Sequence, residues 1–240
     1  MADGVSVTRI QRTRVRLVRL LVNALFGLLT KRTVTGLENI PASGPCLLVF
    51  NHLSNFDPPL IFGQLKRFDV LGLVASEYKS NRFYRSAIEW AGGRWIRRGQ
   101  SDREALRYAI AALNDGWIVG IAPEGGRSKN GRLRAGKPGA AALIMHSGAP
   151  ILPVGLTGTE QIARGLKRFR RVPLTVSFGP IFWLSPNSSG NHKRDLEERT
   201  DEIMCHVAAL VPPQYRGVYN DHPRLHYLLQ PSVLETGNYR

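Results

Sequence analysis

The sequence predicts an α/β fold, with a mainly parallel central sheet flanked by helices. Short apolar or β-branched runs alternate along the chain with segments of helical periodicity, the pattern of strands joined by crossover helices. The chain has 240 residues, 43% of them hydrophobic, enough to bury one sizeable core. It contains no internal repeat.

The N-terminal segment, 1–32, stands apart as a basic amphipathic helix. Arg9, Arg12, Arg14, Arg16 and Arg19 precede the apolar stretch 20–29, which contains Asn23. On a helix Arg12, Arg16, Arg19 and Asn23 form one polar stripe, and Leu17, Leu20, Leu21, Ala24, Leu25 and Leu28 cover the remaining surface. No uncharged run reaches the ~18 residues of a spanning helix. A signal peptide is disfavoured, because Arg19 and Asn23 interrupt the apolar part and no small-residue cleavage site follows Thr30. The pattern suits a helix lying at the membrane interface. A single tilted span and an amphipathic helix packed on the domain fit the same residues.

Strands are then expected at Cys46–Phe50, Val70–Ala75, 117–122, 151–156 and Val172–Phe178. Between the second and third, Ser101 reads as an N-cap with Glu104 completing a capping box. Leu106, Ala109, Ile110 and Leu113 follow as one apolar face, and Gly116 ends the helix. A further helix is expected over 138–146, stopped by Gly148. After a polar loop at 185–191 comes a last amphipathic helix through Leu196, Ile203, Met204, Val207 and Leu210. These elements make one domain, 33–215, followed by a tail, 216–240, whose sequence shows no clear periodicity.

Thirty-three Lys and Arg against eighteen Asp and Glu give a net charge of +15. The excess favours an anionic partner: a membrane surface, a nucleic acid or a phosphorylated substrate. Cys46 and Cys205 are far apart and lack metal-ligand spacing, so neither a disulfide framework nor a zinc site is expected, and a reducing compartment fits best.

Four segments can carry chemistry. Asn51-His52-Leu53-Ser54-Asn55-Phe56-Asp57 stands where a strand gives way to a helix, the place where α/β sheets put ligands. His52 can accept a proton from an alcohol, and Asp57 can fix its tautomer and stabilise the imidazolium. The same residues fit a turn in which Asp57 only caps the helix that starts at Pro58. Ala122-Pro123-Glu124-Gly125-Gly126-Arg127-Ser128 also follows a strand; its glycines expose backbone N–H groups, and with Arg127 they can hold an anion. Gly92-Gly93-Arg94-Trp95-Ile96-Arg97-Arg98 sets arginines beside an aromatic ring, and Ile151-Leu152-Pro153-Val154-Gly155 reads as a core strand. The run 131–137 imitates a nucleotide-binding loop, but Pro138 replaces its hydroxyl metal ligand. His222 and His226 have the spacing of a metal pair without a glutamate base between them.

Taken in order, the four segments resemble the glycerolipid acyltransferase family typified by bacterial 1-acylglycerol-3-phosphate acyltransferase. His52 and Asp57 match its His-x4-Asp block; Gly92 to Arg98, Pro123 to Ser128, and Pro153-Val154 match the other three. Ala122 and Gly126 depart from the usual Phe and Thr of the third block, and Arg97 from a usual acidic residue in the second. The resemblance implies transfer of a fatty acyl group from acyl-CoA or acyl carrier protein to the hydroxyl of 1-acyl-glycerol-3-phosphate or a related lysolipid. It implies His52 as base, Asp57 as its partner, and Arg98, Glu124, Gly125 and Arg127 as acceptor-binding residues. No metal and no cofactor are expected beyond the thioester co-substrate. The expected partners are an anionic membrane surface at the cytoplasmic face, the lysophospholipid or glycerol-phosphate acceptor and, where it is the donor, acyl carrier protein. A basic nucleic-acid-binding protein, or a lipid-binding module of the same fold without turnover, are the rival readings; the first explains the charge but not the four blocks.

Overall fold

The computed structural model describes residues 9–75, 94–96, 102–184 and 190–230, with side chains at 11–72, 104–184 and 190–230. In chain order the elements are α1 (Arg9–Leu29), β1 (Thr30–Thr35), β2 (Cys46–Phe50), α2 (Asp57–Phe62), β3 (Val70–Ala75), β4 (Arg94–Ile96), α3 (Asp102–Asn114), β5 (Ile118–Ile121), α4 (Gly139–Ser147), β6 (Ile151–Thr157), α5 (Ile162–Lys167), β7 (Val172–Phe178), α6 (His192–Ala209) and α7 (Pro223–Leu228). The seven strands form one sheet in the order β1-β7-β6-β2-β5-β3-β4. Every pairing is parallel except that of β6 with β7.

All five residues of β2 are buried, because helices cover both faces of the sheet at its centre. Its side chains alternate between two cores. Leu47 and Val49 pack with Leu113 of α3, Leu143 of α4 and Met204 of α6. Cys46, Leu48 and Phe50 pack with Leu60 and Ile61 of α2 and with Phe26 of α1. Each such side chain contributes roughly 1.5–3 kcal/mol on full burial. This double anchoring fixes the C-terminal end of β2, from which the candidate site projects.

The helix ends follow expected chemistry. Gly148 closes α4 at φ 62, a left-handed cap that an L side chain adopts only with strain. The Asn191 side chain accepts the Arg194 N–H at the start of α6. His222 caps α7 by accepting the Arg224 N–H, which accounts for one member of the His222 and His226 spacing. The Ser101 cap lies outside the described residues.

Two strands were not expected from sequence. β1 reads Thr-Lys-Arg-Thr-Val-Thr because it pairs only with β7, and alternate residues face out. β4 falls inside the second block. The tail, whose structure the sequence left open, is packed as far as residue 230: Tyr219, Leu225 and Leu228 are buried in the core with α6.

The structure fixes the orientation of α1, which the sequence left open. Its polar stripe faces the protein. Arg19 is buried, donates to the Arg67 carbonyl, and lies 4.5 Å from the Phe62 ring centre and 5.4 Å from that of Phe68. Burial pushes its guanidinium down to about 10, against the pull of Asp69, so it remains charged at neutral pH. Arg16 and Arg12 also stack over Phe68. Asn23 donates to the Gly63 carbonyl at 2.7 Å and accepts from Arg32 at 2.6 Å. The row Leu17, Leu20, Leu21, Leu25 and Leu28 is left exposed, Leu28 by 72%. Among the described residues no helix is long and apolar enough to cross a membrane.

Candidate active site

Asn51 ends the central strand by imitating it. Its Nδ2 donates to the Leu156 carbonyl at 2.9 Å, and its Oδ1 accepts the Leu156 N–H at 2.7 Å. The side chain thereby continues the β2–β6 ladder while the backbone turns away, and the next residue, His52, leaves the sheet edge.

The turn closes on Asp57, the first residue of α2. Pro58 and Pro59 follow it and have no N–H to cap, so the carboxylate folds back on its own loop. Oδ2 accepts the Leu53 N–H at 2.6 Å, the Ser54 N–H at 2.7 Å and His52 Nδ1 at 2.8 Å. Oδ1 accepts the Ser54 hydroxyl at 3.2 Å and the Thr159 hydroxyl. Asp57 is fully buried, while the His52 side chain is 16% exposed. Because a carboxylate only accepts, Nδ1 carries the imidazole proton, and Nε2 is left with the lone pair. Orientation of His52 and organisation of the turn, alternatives in sequence, are both performed by this one carboxylate.

The third block holds the His52 backbone from the other side. Glu124 Oε1 accepts the His52 N–H at 2.9 Å, and Ser128 N–H donates to the His52 carbonyl at 2.7 Å. Glu124 Oε2 accepts the Arg134 N–H at 3.1 Å. The resemblance implies a place for Glu124 in acceptor binding; in the structure its two oxygens accept backbone amides in a buried position, the geometry of a positioning residue. Burial raises its carboxyl above the ordinary range, partly offset by the two amides.

Gly125 sits at φ 66, and a Cβ there would come within 2.8 Å of the Lys137 side chain, including Nζ. The positive φ favours glycine in the Pro123–Gly126 turn, and the end of the Lys137 side chain lies over it. Arg127 is exposed on the same loop, and Arg134 donates to its carbonyl at 3.4 Å. Three cations, Arg127, Arg134 and Lys137, thus belong to the segment that grips His52. Arg98 lies outside the described residues.

Sequence reasoning missed two participants. Thr159 is buried just beyond β6, on a turn entered through Gly158 at φ 81, so the fourth block delivers a hydroxyl to Asp57. Lys137 lay inside the run set aside as a false nucleotide loop. Its nearness to Gly125 comes from the chain's return, marked by the Lys137 N–H bond to the Pro123 carbonyl at 2.8 Å.

The arrangement brings together an imidazole of fixed tautomer, a buried carboxylate and a glycine turn beside cations. The family model described as Acyltransferase matches residues 31–157, just over half of the chain. The chain is 34% identical over 141 residues to the chloroplastic 1-acyl-sn-glycerol-3-phosphate acyltransferase of Brassica napus, covering 55% of this chain and 39% of that protein. It is 31% identical over 134 residues to the 1-acyl-sn-glycerol-3-phosphate acyltransferase of Borreliella burgdorferi, covering 54% and 52%. The chain thus spans between two fifths and about half the length of these relatives. The crystal structure of PlsC, the 1-acyl-sn-glycerophosphate acyltransferase of Thermotoga maritima, shares the fold, with a TM-score of 0.63 over 85% of this chain and 80% of that one at 24% identity. The chain belongs to the acyltransferase family.

Proposed function

We propose that the protein transfers a fatty acyl group from a thioester carrier to the free hydroxyl of 1-acyl-glycerol-3-phosphate or a closely related lysolipid. The observation that carries this reading is the His52–Asp57 pair, with Nδ1 held by the buried carboxylate at 2.8 Å and Nε2 left to receive a proton. His52 Nε2 removes the hydroxyl proton as the acceptor oxygen attacks the thioester carbonyl. The tetrahedral adduct collapses with cleavage of the C–S bond, and the thiolate takes the proton back from the imidazolium. Asp57 balances the charge on the imidazolium in between. Arg127 and Lys137, beside the Gly125 turn, suit the acceptor phosphate; the names of the relatives support a glycerol-phosphate headgroup.

Both acceptor and product are lipids, and the exposed leucine row of α1 supports seating on a membrane. In this reading the leucines enter the acyl boundary while the arginine stripe locks the helix to the domain. Mass spectrometry of products from purified protein, offered lysophosphatidate, glycerol 3-phosphate and other lysolipids with acyl-CoA or acyl carrier protein, tests the proposal. Phosphatidate from lysophosphatidate is the expected product; no acylated product from any pair would overturn the reading.

A further inference from the structure

Phe169 is fully exposed and adopts φ 50, the one non-glycine residue in the left-handed region among the described residues. Neither property helps folding. A bulky aromatic in that conformation is strained, whereas Gly or Asn would hold the same turn without strain, and an exposed ring contributes no core burial. The turn is nonetheless well fixed: N–H groups of Arg168 and Arg170 donate to the Gly165 carbonyl at 3.0 and 2.9 Å, and the Phe169 N–H donates to Leu166 at 3.1 Å. A backbone strained around an exposed apolar tip points to a function outside the fold.

The surroundings identify the partner. Arg164, Lys167, Arg168 and Arg170 are exposed around Phe169, Leu166 is exposed beside them, and no acidic residue occurs from 162 to 175. Arg171 bolts the turn to the C-terminal end of α1, donating from Nη2 to the carbonyls of Gly27 and Thr30 at 2.7 Å each. Strand pairing reinforces this, since Thr30, directly after α1, is opposite Val172, directly after the turn. The outward end of the leucine row and the Phe169 tip are therefore fixed to one another.

We propose that the Phe169 turn is a second membrane-docking element, in which the ring inserts below the headgroups of an anionic leaflet and the four exposed cations pair with the phosphates above it. The proposal rests on the membrane reading of α1. It adds that two separated points, the helix and the turn, set the tilt of the domain on the bilayer. An aromatic wedge ringed by cations fits this surface chemistry, because the apolar tip and the charges are satisfied at different depths.

The test uses the full chain with Phe169→Cys labelled with an environment-sensitive fluorophore; Cys46 and Cys205 are both buried and do not compete for label. On vesicles containing anionic phospholipid the label should brighten and shift to the blue, and far less on zwitterionic vesicles. Unlabelled Phe169→Asn, which removes both ring and strain, should bind anionic vesicles about tenfold more weakly than wild type while unfolding at the same or a higher temperature. If wild type binds anionic vesicles but the label does not respond and Phe169→Asn binds equally well, the second contact is wrong while α1 docking survives. If wild type does not bind at all, both fall.

Discussion

Asp57→Asn removes one charge from the site and almost nothing else. Oδ2 receives three N–H donors, from Leu53, Ser54 and His52, whereas Oδ1 receives two hydroxyls, from Ser54 and Thr159. The asparagine oxygen must therefore occupy the Oδ2 position, with its NH2 group at Oδ1, where either hydroxyl can rotate to accept it. Nδ1 stays protonated, Nε2 stays the basic nitrogen, and the turn stays closed. What disappears is the attraction between a carboxylate and the imidazolium that forms as the proton moves. For unit charges about 4 Å apart in an effective dielectric near 20, that attraction is about 4 kcal/mol. The expected result is a kcat lowered roughly a thousandfold, with the acceptor KM changed by less than about threefold. Steady-state kinetics on purified protein in lipid micelles measures both, with thermal unfolding as the control for folding. A kcat within tenfold of wild type would mean that no imidazolium develops on His52, and the base assignment would fail with it.

Other outcomes follow from the same geometry. Thr159→Val removes a hydroxyl donor from a buried carboxylate, a bond worth roughly 1.5–3 kcal/mol. It should lower kcat with the acceptor KM little changed, because the carboxylate that orients His52 loses one of the groups that fix it; a kcat equal to wild type would make Thr159 merely structural. Arg127→Lys should raise the acceptor KM about tenfold or more while leaving kcat near wild type, since a point charge cannot reproduce a bidentate phosphate contact; an unchanged KM would remove Arg127 from the phosphate site. His206 is stacked on Phe182 with centroids 3.6 Å apart, and burial pushes its imidazole from 6.5 down to about 3. Its contribution to stability is therefore complete above pH 6.5 and is lost as pH falls from 6.5 toward 3, at up to about 1.4 kcal/mol per pH unit. Urea unfolding of wild type and His206→Leu at pH 7, 6, 5 and 4 should show the difference between them moving in the variant's favour; a constant difference would contradict the linkage.

What the sequence revealed and what it hid divides along physical lines. A strand buried on both faces, such as Cys46–Phe50, announces itself as an uninterrupted apolar run. β1 does not, because an edge strand with one face outward carries Lys31 and Arg32 like any loop. For α1, periodicity disclosed two faces but not which one meets the protein. That choice is made by Phe62, Phe68 and the Gly63 carbonyl, which lie some forty residues downstream and offer cation–π and hydrogen-bond partners to Arg19 and Asn23.

In the site, His52 and Asp57 could be read because their contact lies within six residues of chain. The capping alternative for Asp57 is decided only in the structure: Pro58 and Pro59 offer no N–H, and the Leu60 N–H donates to the Phe56 carbonyl at 3.1 Å. Thr159 was invisible because its bond to Asp57 spans 102 residues. The bonds of Glu124 to the amides of His52 and Arg134 were hidden for another reason: a carboxylate beside glycines has the same sequence signature whatever its oxygens meet.

The role of His52 can be measured in a single comparison, turnover of lysophosphatidate with acyl-CoA by wild type and by His52→Ala, both purified and both shown to be folded. Loss of turnover by a factor of at least about a thousand, with acceptor binding retained, is the predicted result. Turnover by the alanine variant at a rate near wild type would contradict it.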